Sequence, residues 1–327
     1  MAETLTVHQA GRSVVQDLGR FGRTRYGLPV NGALDQYSAR VANVLTGNDE
    51  NAPLVELTAL DFSGTPSVDT LIAVTGAPAL VTVGGVPVRQ WEPVPVGRGQ
   101  QIRISGINRG LRAYLAVRGS VEAPFLLGSC APDTILGFGR SLSDEDELTL
   151  GGHCPPIDHP VFRHPLFRLG AAVPRFGPPW TIDVTDGPDV AEFGASAERL
   201  FTGEFVVSPR SNHIGLRMSG GVPRRTTTGE VLSRGVPVGA VEVPAGDELL
   251  VLHRGRGVTA GYPVLAVVTA TSLCALGQAR PGHPIRFRRR SVAEAVAAHR
   301  AQHAAVLALR ERVTTVFDAL DLPALSR

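Results

Sequence analysis

The chain contains no lysine, and all 32 basic residues among its 327 are arginine. A phosphate-binding loop of the Walker type needs a lysine that reaches the phosphates, so the sequence excludes that motif. A Schiff base to pyridoxal phosphate and a covalently attached biotin also need a lysine side chain. The sequence therefore predicts no cofactor in this chain, and any ATP or biotin chemistry would have to reside on another protein.

Cysteine is scarce, and long apolar runs are absent. The three cysteines show no Cys-x-x-Cys spacing, and their odd number argues against a disulfide framework. No apolar run reaches the roughly 18 residues that span a bilayer, and the first residues lack the pattern of a signal peptide. The net charge of +2 is too small to indicate nucleic-acid binding. These absences predict a cytoplasmic protein that binds neither membrane nor nucleic acid.

A metal site is also not expected. His153, Cys154, His159 and His164 have spacings that could bind zinc. They lie in a proline-rich segment without a repeated pair of ligands, which is atypical of a zinc site. The sequence therefore predicts no bound metal.

Glycine (37 residues) and proline (25 residues) are abundant, which is typical of a protein with many turns and short strands. A β-branched run at residues 70–76 and the mostly apolar run at 112–117 predict buried strands, and Gly84-Gly85 between two short apolar runs predicts a hairpin. Strands outnumber helices, so the sequence predicts a mainly β protein with short helices, built as barrels or sandwiches.

Two similar halves are predicted, separated by a segment dense in proline. Gly85-Val86-Pro87-Val88 recurs as Gly235-Val236-Pro237-Val238 at an offset of 150 residues, and later residues keep nearly the same offset. We therefore predict a first β-barrel domain at 1–155, a linker at 156–179, a second β-barrel domain at 180–290 and a C-terminal helix at 291–327.

The C-terminal helix is predicted from its first turn and its apolar spacing. Ser291 followed by Glu294 forms a capping box, and apolar residues then recur at three and four as far as about Leu320. The helix could pack on its own barrel or could cross a partner subunit, and the sequence leaves both alternatives open.

The stretch from Val15 to Asn48 is unusually rich in polar residues. Glycines make its first half a loop, and apolar spacing predicts a short helix from Ala33 that Gly47-Asn48 ends. In one alternative these polar groups form a buried network that fixes the loop, with Asp35 paired to Arg20 or Arg40. In the other they form a functional site at the mouth of the loop.

A second polar cluster, Ser211 to Met218, follows a predicted strand. Asn212 offers an amide to a planar substrate amide or carboxylate, and Arg217 offers a two-pronged guanidinium. The alternative is a capped turn with an arginine–carboxylate pair inside the barrel.

These motifs together resemble one known family. Val15-Gln16-Asp17-Leu18-Gly19-Arg20 with Gly32-Ala33-Leu34-Asp35, Ser211 to Arg217, Thr259 to Pro263 and Gln278 to Gly282 resemble its motifs in order. It is the biotin-dependent carboxyltransferase-like family, which includes the C subunit of 5-oxoprolinase, the second subunit of allophanate hydrolase and an antagonist of a kinase inhibitor. The resemblance covers roughly residues 5–287.

The resemblance implies two tandem cyclophilin-like β-barrel domains and a role as one subunit of a hetero-oligomeric, amide-processing hydrolase that is active only with its partners. It implies a companion that resembles the B subunit of 5-oxoprolinase or the first subunit of allophanate hydrolase, a small amide substrate, and for 5-oxoprolinase a third, ATP-using subunit. A non-catalytic binding role and carboxyl transfer from carboxybiotin on another protein remain alternatives.

The same motifs suggest the site residues. The predicted catalytic residues are Asp35, Asn212 and Arg217, with Asp35 the best candidate for a general base. The predicted substrate-binding residues are Gln16, Arg20, Asn31, Arg40, Asn43, Tyr262 and Gln278. Several polar positions depart from the family pattern, namely Cys130, Arg234, Glu242, His253 and Thr271. If these positions contact substrate, the departures imply an altered substrate or lost activity.

Overall fold

The structure, a computed structural model, describes residues 2–155, 157, 168–244, 246–322 and 325. The chain forms two compact units, one of residues 1–19, 36–176 and 303–327 and one of residues 20–35 and 177–302. This division differs from the predicted linear one. The loop 20–35 groups with the second unit, where the Asn31 amide donates a hydrogen bond of 2.9 Å to the Arg254 carbonyl.

The described part of the first unit has eleven strands and a helix before residue 150. They are β1 (Thr4–Gln9), β2 (Ser13–Gln16), α1 (Gln36–Leu45), β3 (Leu54–Thr58), β4 (Phe62–Pro66), β5 (Thr70–Gly76), β6 (Leu80–Val83), β7 (Val86–Val88), β8 (Pro93–Val96), β9 (Ile102–Ser105), β10 (Arg112–Val117) and β11 (Glu147–Thr149). They form a six-stranded sheet, β11-β1-β4-β9-β6-β7, and a five-stranded sheet, β2-β3-β10-β5-β8.

The five-stranded sheet is buried because α1 packs on its central strands. Every residue of β5 is buried, as its β-branched, mostly apolar sequence predicts for a strand covered on both faces. The helix α1 contacts both β5 and β10. Gly47, in the left-handed region at φ 78°, ends that helix as predicted.

The second unit contains a closed barrel. Its elements are a 3-10 turn (Thr24–Tyr26), β12 (Trp180–Asp186), a 3-10 segment (Val190–Glu198), α2 (Arg199–Thr202), β13 (Phe205–Val207), β14 (Gly215–Gly220), β15 (Arg234–Gly235), β16 (Ala240–Glu242), β17 (Glu248–Leu252), β18 (Thr259–Ala260), β19 (Val264–Val268), α3 (Ala270–Leu276) and β20 (Pro284–Arg289). Seven strands close in the order β12-β19-β16-β17-β14-β13-β20, and β15 and β18 form a separate ribbon.

Both faces of the barrel strands are covered in places. Leu249 and Val251 of β17 are fully buried, while the alternate residues Glu248 and Leu250 are partly exposed, which is the alternation of a strand with one covered face. On the other face, Val236 and Ala260 at the ribbon pack against a cluster made with Ala240, Leu252 and Val264.

The fold prediction of a mainly β protein with short helices and a barrel is confirmed. The predicted repeat does not extend to strand pairing. The strands β8 and β9, which flank Gly97, lie in different sheets, whereas β16 and β17, which flank Gly246, pair directly.

The C-terminal helix α4 spans Val292–Ala319, close to its predicted bounds. Its capping box forms as predicted, because the Ser291 hydroxyl accepts from the Glu294 amide at 3.2 Å and the Ser291 amide donates to Glu294 at 2.8 Å. Its buried residues, Val306, Leu309, Val313 and Phe317, all lie in its second half. Within the described residues, none of the helices is long and apolar enough to cross a membrane.

Candidate functional site

Asp35 and Gln278 form a buried polar pair in the second unit. Gln278 follows α3, and its amide nitrogen Nε2 donates a hydrogen bond of 2.7 Å to Asp35 Oδ2. The two residues are 2% and 1% exposed, so the bond is shielded from water. Asp35 thus contacts another of the predicted site residues, 243 positions away along the chain.

Replacing Gln278 with leucine should lower the free energy of unfolding by about 2 kcal/mol, because a buried oxygen of Asp35 loses its amide donor. Denaturant titration of both proteins measures the change. The half-buried Gln302 makes no side-chain hydrogen bond to another described residue, so Gln302→Leu should change stability by less than about 0.5 kcal/mol. Equal effects at the two positions would contradict the structural importance of the buried pair.

Gly277 lets α3 approach the opening loop closely. A Cβ built on Gly277 would lie 2.8 Å from both the carbonyl carbon and the oxygen of Leu34. The backbone of Gly277 is in the ordinary right-handed helical region, so the requirement for glycine is the close approach rather than the backbone angle.

Gly277→Ala should therefore lower the free energy of unfolding by about 2 kcal/mol, since the new methyl group would collide with backbone atoms. Gly221→Ala is the matched control, because a Cβ at Gly221 would meet nothing within 4 Å. Thermal unfolding of both variants tests the difference. A stabilised Gly277→Ala protein would show that the loop can move aside.

Backbone hydrogen bonds join the opening loop to two later loops of the same unit. Asn31, at φ 53°, donates its amide to the Arg254 carbonyl. The His253 and Gly255 amides donate to the Ile214 and His213 carbonyls at 2.8 and 3.0 Å. The loops 31–35, 212–215 and 253–256 are therefore held together, and the first two carry predicted site residues.

Asn212 caps a turn. Its side-chain oxygen Oδ1 accepts a hydrogen bond of 2.9 Å from the Ile214 amide, while its Nδ2 donates to no other described residue. The capped turn that the sequence left open as an alternative is thus present. The side chain is exposed, so its Nδ2 group can still reach a ligand.

Arg217 lies on the outer face of the barrel. Its guanidinium is 3.5 Å from Glu248, a carboxylate that also pairs with Arg210, and its side chain is 42% exposed. The arginine–carboxylate pair of the alternative interpretation is therefore present, but at the surface rather than inside the barrel. One long contact leaves most of the Arg217 guanidinium available to a ligand.

Glu242 lies in the same row as Arg217. Strand pairing places Leu250 opposite Arg217 on one side and opposite Glu242 on the other, and directly opposed residues share a face. Glu242 is 1% exposed, and its Oε1 has no hydrogen-bond partner in the described part of the chain. Burial raises the pKa of Glu242 to about 7. A carboxyl group with this pKa can give or take a proton near neutral pH.

Tyr262 opens onto a cavity of about 610 Å³ within the second unit. Arg224, Arg225, Val231 and Pro263 are among its other lining residues. Arg225 is held by Glu192, whereas Arg224 forms no ion pair with a described residue. The cavity thus combines apolar walls with an arginine, the acidic residue Glu230 and an exposed phenol, a combination suited to a small polar molecule.

The remaining predicted residues divide between the units. Arg20 is buried in the second unit, and its amide donates to the Val30 carbonyl at 2.7 Å. In the first unit, Arg40 pairs with Glu50 at 2.6 Å, and Asn43 donates to the Ala52 carbonyl at 2.8 Å. Gln16 accepts from the neighbouring amide of Asp17 at 3.3 Å. The contacts of Gln16, Arg40 and Asn43 therefore lie within the first unit, and Arg40 pairs with Glu50 rather than with Asp35.

The described residues contain no group of three or more side chains that could hold a metal ion. His153 pairs with Glu3 at 3.1 Å, and Cys154 is a buried free thiol. His159 and His164, the other zinc candidates, lie outside the described residues.

The structure thus brings Asp35 and Gln278 into contact, and it links the loops of Asn31 and Asn212 through residues 253–255. Sequence analysis noted Glu242 and His253 as departures from a family pattern but did not propose them as site residues. The sequence signal for Glu242 was its place as the single acidic residue in the apolar run Ala240 to Val243. Such a run is usually buried, so its acidic side chain is expected to be shielded from water.

Comparison with known proteins identifies the family of the chain. The family described as "Carboxyltransferase domain, subdomain A and B" matches residues 26–289. The chain is 33% identical to the C subunit of 5-oxoprolinase from Escherichia coli K12 over 304 residues, which cover 91% of this chain and 95% of that protein.

Longer proteins contain a similar region. Urea amidolyase of Saccharomyces cerevisiae is 32% identical over 306 residues, covering 86% of this chain but 16% of the yeast protein. The crystal structure of Kluyveromyces lactis urea amidolyase superposes with a TM-score of 0.83 at 28% identity, covering 94% of this chain and 20% of that one. The chain therefore belongs to the carboxyltransferase-domain family, and its homologues are the C subunit of 5-oxoprolinase and a region of urea amidolyase.

Proposed function

We propose that this chain is one subunit of a hetero-oligomeric, amide-processing hydrolase of the 5-oxoprolinase type. The observation that carries the proposal is the nearly full-length relation to the C subunit of 5-oxoprolinase, which covers 91% of one chain and 95% of the other. The similarity to urea amidolyase covers only a sixth to a fifth of those proteins. It therefore supports a urea amidolyase activity for this chain less directly.

The proposed reaction opens a cyclic amide with ATP hydrolysis and gives glutamate. The chain has no lysine for a phosphate-binding loop, so we assign ATP to a partner subunit. The proposed partners are a companion of the B-subunit type and a third, ATP-using subunit. Alone, this chain is expected to be inactive.

In this proposal the row of Arg217 and Glu242 supplies the chemistry. Arg217 holds the substrate carboxylate or a developing oxyanion through its exposed guanidinium. Glu242, with a pKa near neutrality, is a better general acid or base than Asp35. Asp35 and Gln278 are assigned a positioning role, because their buried bond fixes the opening loop. Asn212 and Tyr262 provide further polar contacts.

A substrate panel tests the proposal. The complex with its companion subunits should release glutamate from 5-oxoproline only when ATP is present, and should release no ammonia from allophanate. Hydrolysis of allophanate without ATP would move the assignment to the allophanate hydrolase branch of the family.

Carboxyl transfer is the second candidate, favoured by the similarity to a region of urea amidolyase. It requires carboxybiotin on another protein, because this chain has no lysine to carry biotin. Avidin, which sequesters biotin, distinguishes the two candidates. If turnover by the complex survives the addition of avidin, the hydrolase is supported. If avidin abolishes turnover, carboxyl transfer is supported. A stable complex that turns over neither substrate would indicate a regulatory binding role.

A further inference from the structure

Arg256 is a buried arginine with few partners. It lies in the loop between β17 and β18 and is 6% exposed. Its Nε donates one hydrogen bond of 3.0 Å to the Val236 carbonyl, and its Nη1 has no hydrogen-bond partner in the described residues. Among those residues, no aspartate or glutamate oxygen lies within the 4.0 Å of an ion pair.

Arg256 differs from many other arginines of the second unit. Eight of them contact a carboxylate of the same unit, namely Arg210, Arg217, Arg225, Arg234, Arg286, Arg288, Arg289 and Arg290. All eight are more exposed than Arg256. Arg256 is thus less exposed than each of these eight ion-paired arginines, and it forms no ion pair with a described residue.

A guanidinium in this position is expected to attract an anion. Burial lowers the pKa of Arg256, but an arginine side chain stays protonated in proteins even so. A buried charge that lacks a partner is strongly unfavourable, so an anion that enters and pairs with it gains the interaction without having to break an existing ion pair. Glu242 does not fill this role, since it lies beyond ion-pair distance of Arg256.

We propose that Arg256 binds a small oxyanion, a carboxylate or a phosphate, supplied from outside the chain. A small ion suits the site better than a partner protein's surface, because so little of the residue is exposed. The loop is also held in place for binding. The Gly255 amide is bonded to the His213 carbonyl, and a Cβ on Gly255 would lie 2.3 Å from the His213 ring.

Thermal unfolding of the full chain tests the site without any turnover assay. Wild type, Arg256→Met and the control Arg199→Met would be melted in sodium chloride, sodium phosphate and sodium acetate at equal ionic strength and pH. Arg199 is an exposed arginine of the same unit without an ion pair to a described residue. Phosphate stabilises many proteins without binding a site, so the difference between variants decides the outcome.

For wild type and Arg199→Met we expect a saturable rise in Tm of about 3 °C or more in phosphate, in acetate or in both. The salt whose effect on Tm saturates, phosphate or acetate, identifies the bound anion as a phosphate or a carboxylate. Arg256→Met should show no saturable rise, and in chloride its Tm should match or exceed that of wild type because the uncompensated charge is gone.

Two results would overturn the proposal. One is the same anion response in Arg256→Met as in wild type. The other is a lower Tm for Arg256→Met than for wild type in chloride, which would mean that groups within the chain already satisfy the guanidinium. Neither depends on 5-oxoproline turnover, so failure here is distinguishable from failure of the proposed function.

Discussion

At pH 8, Glu242→Gln should raise the free energy of unfolding by roughly 3 kcal/mol, whereas near pH 4.5 it should change little. The pKa of Glu242 is about 7 in the folded protein and 4.5 in its ordinary, unfolded setting. Between these values the unfolded chain releases the proton while the folded chain keeps it. The contribution of Glu242 to the stability of the wild type is therefore fully present below pH 4.5 and is lost as the pH rises through 7.

Denaturant titrations of both proteins at pH 4.5, 6 and 8 measure the effect. Glutamine keeps the size of a protonated glutamate and cannot ionise, so the difference between the two proteins isolates this one group. Glu230→Gln is the control, because Glu230 is exposed in the same unit and should change stability by less than about 0.5 kcal/mol at each pH. A pH-independent difference at Glu242 would mean that its carboxyl group is not buried as the structure describes.

Arg217→Ala should lower kcat/KM for 5-oxoproline in the reconstituted complex by about 100-fold or more, because a charge-assisted contact to the substrate would be lost. Stability should change by less than about 1 kcal/mol, since its pair with Glu248 is largely exposed. Steady-state kinetics and thermal unfolding of the same preparation separate the two effects.

Arg210→Ala provides the matched control for this experiment. Arg210 contacts the same carboxylate, Glu248, but its side chain is 67% exposed and lies outside the row that contains Glu242. Its removal should leave kcat/KM within about threefold of wild type, a change of well under 1 kcal/mol. Full activity in Arg217→Ala, or equal losses in both variants, would remove Arg217 from the proposed site.

Local patterns predicted much of the fold. The β-branched run at residues 70–76 matches β5, and the mostly apolar run at 112–117 matches β10. Gly84-Gly85 joins β6 to β7 as a hairpin. The capping box at Ser291 begins α4 as predicted. Each of these signals resides in a few consecutive residues, so the chain does not need to fold before they can be recognised.

Long-range features could not be read in the same way. The bond between Asp35 and Gln278 joins residues far apart in sequence, and polar residue type alone left Arg20, Arg40 and a ligand as partners for Asp35. The row of Arg217, Leu250 and Glu242 depends on the register of three strands, which a single sequence does not specify. The grouping of residues 20–35 with the second unit likewise depends on tertiary hydrogen bonds.

The most direct test of the account is ATP-dependent glutamate release from 5-oxoproline by the complete set of subunits, compared with the same mixture lacking this chain. The account predicts release by the complete set and none after the omission. Undiminished release without this chain would contradict its role as a required subunit.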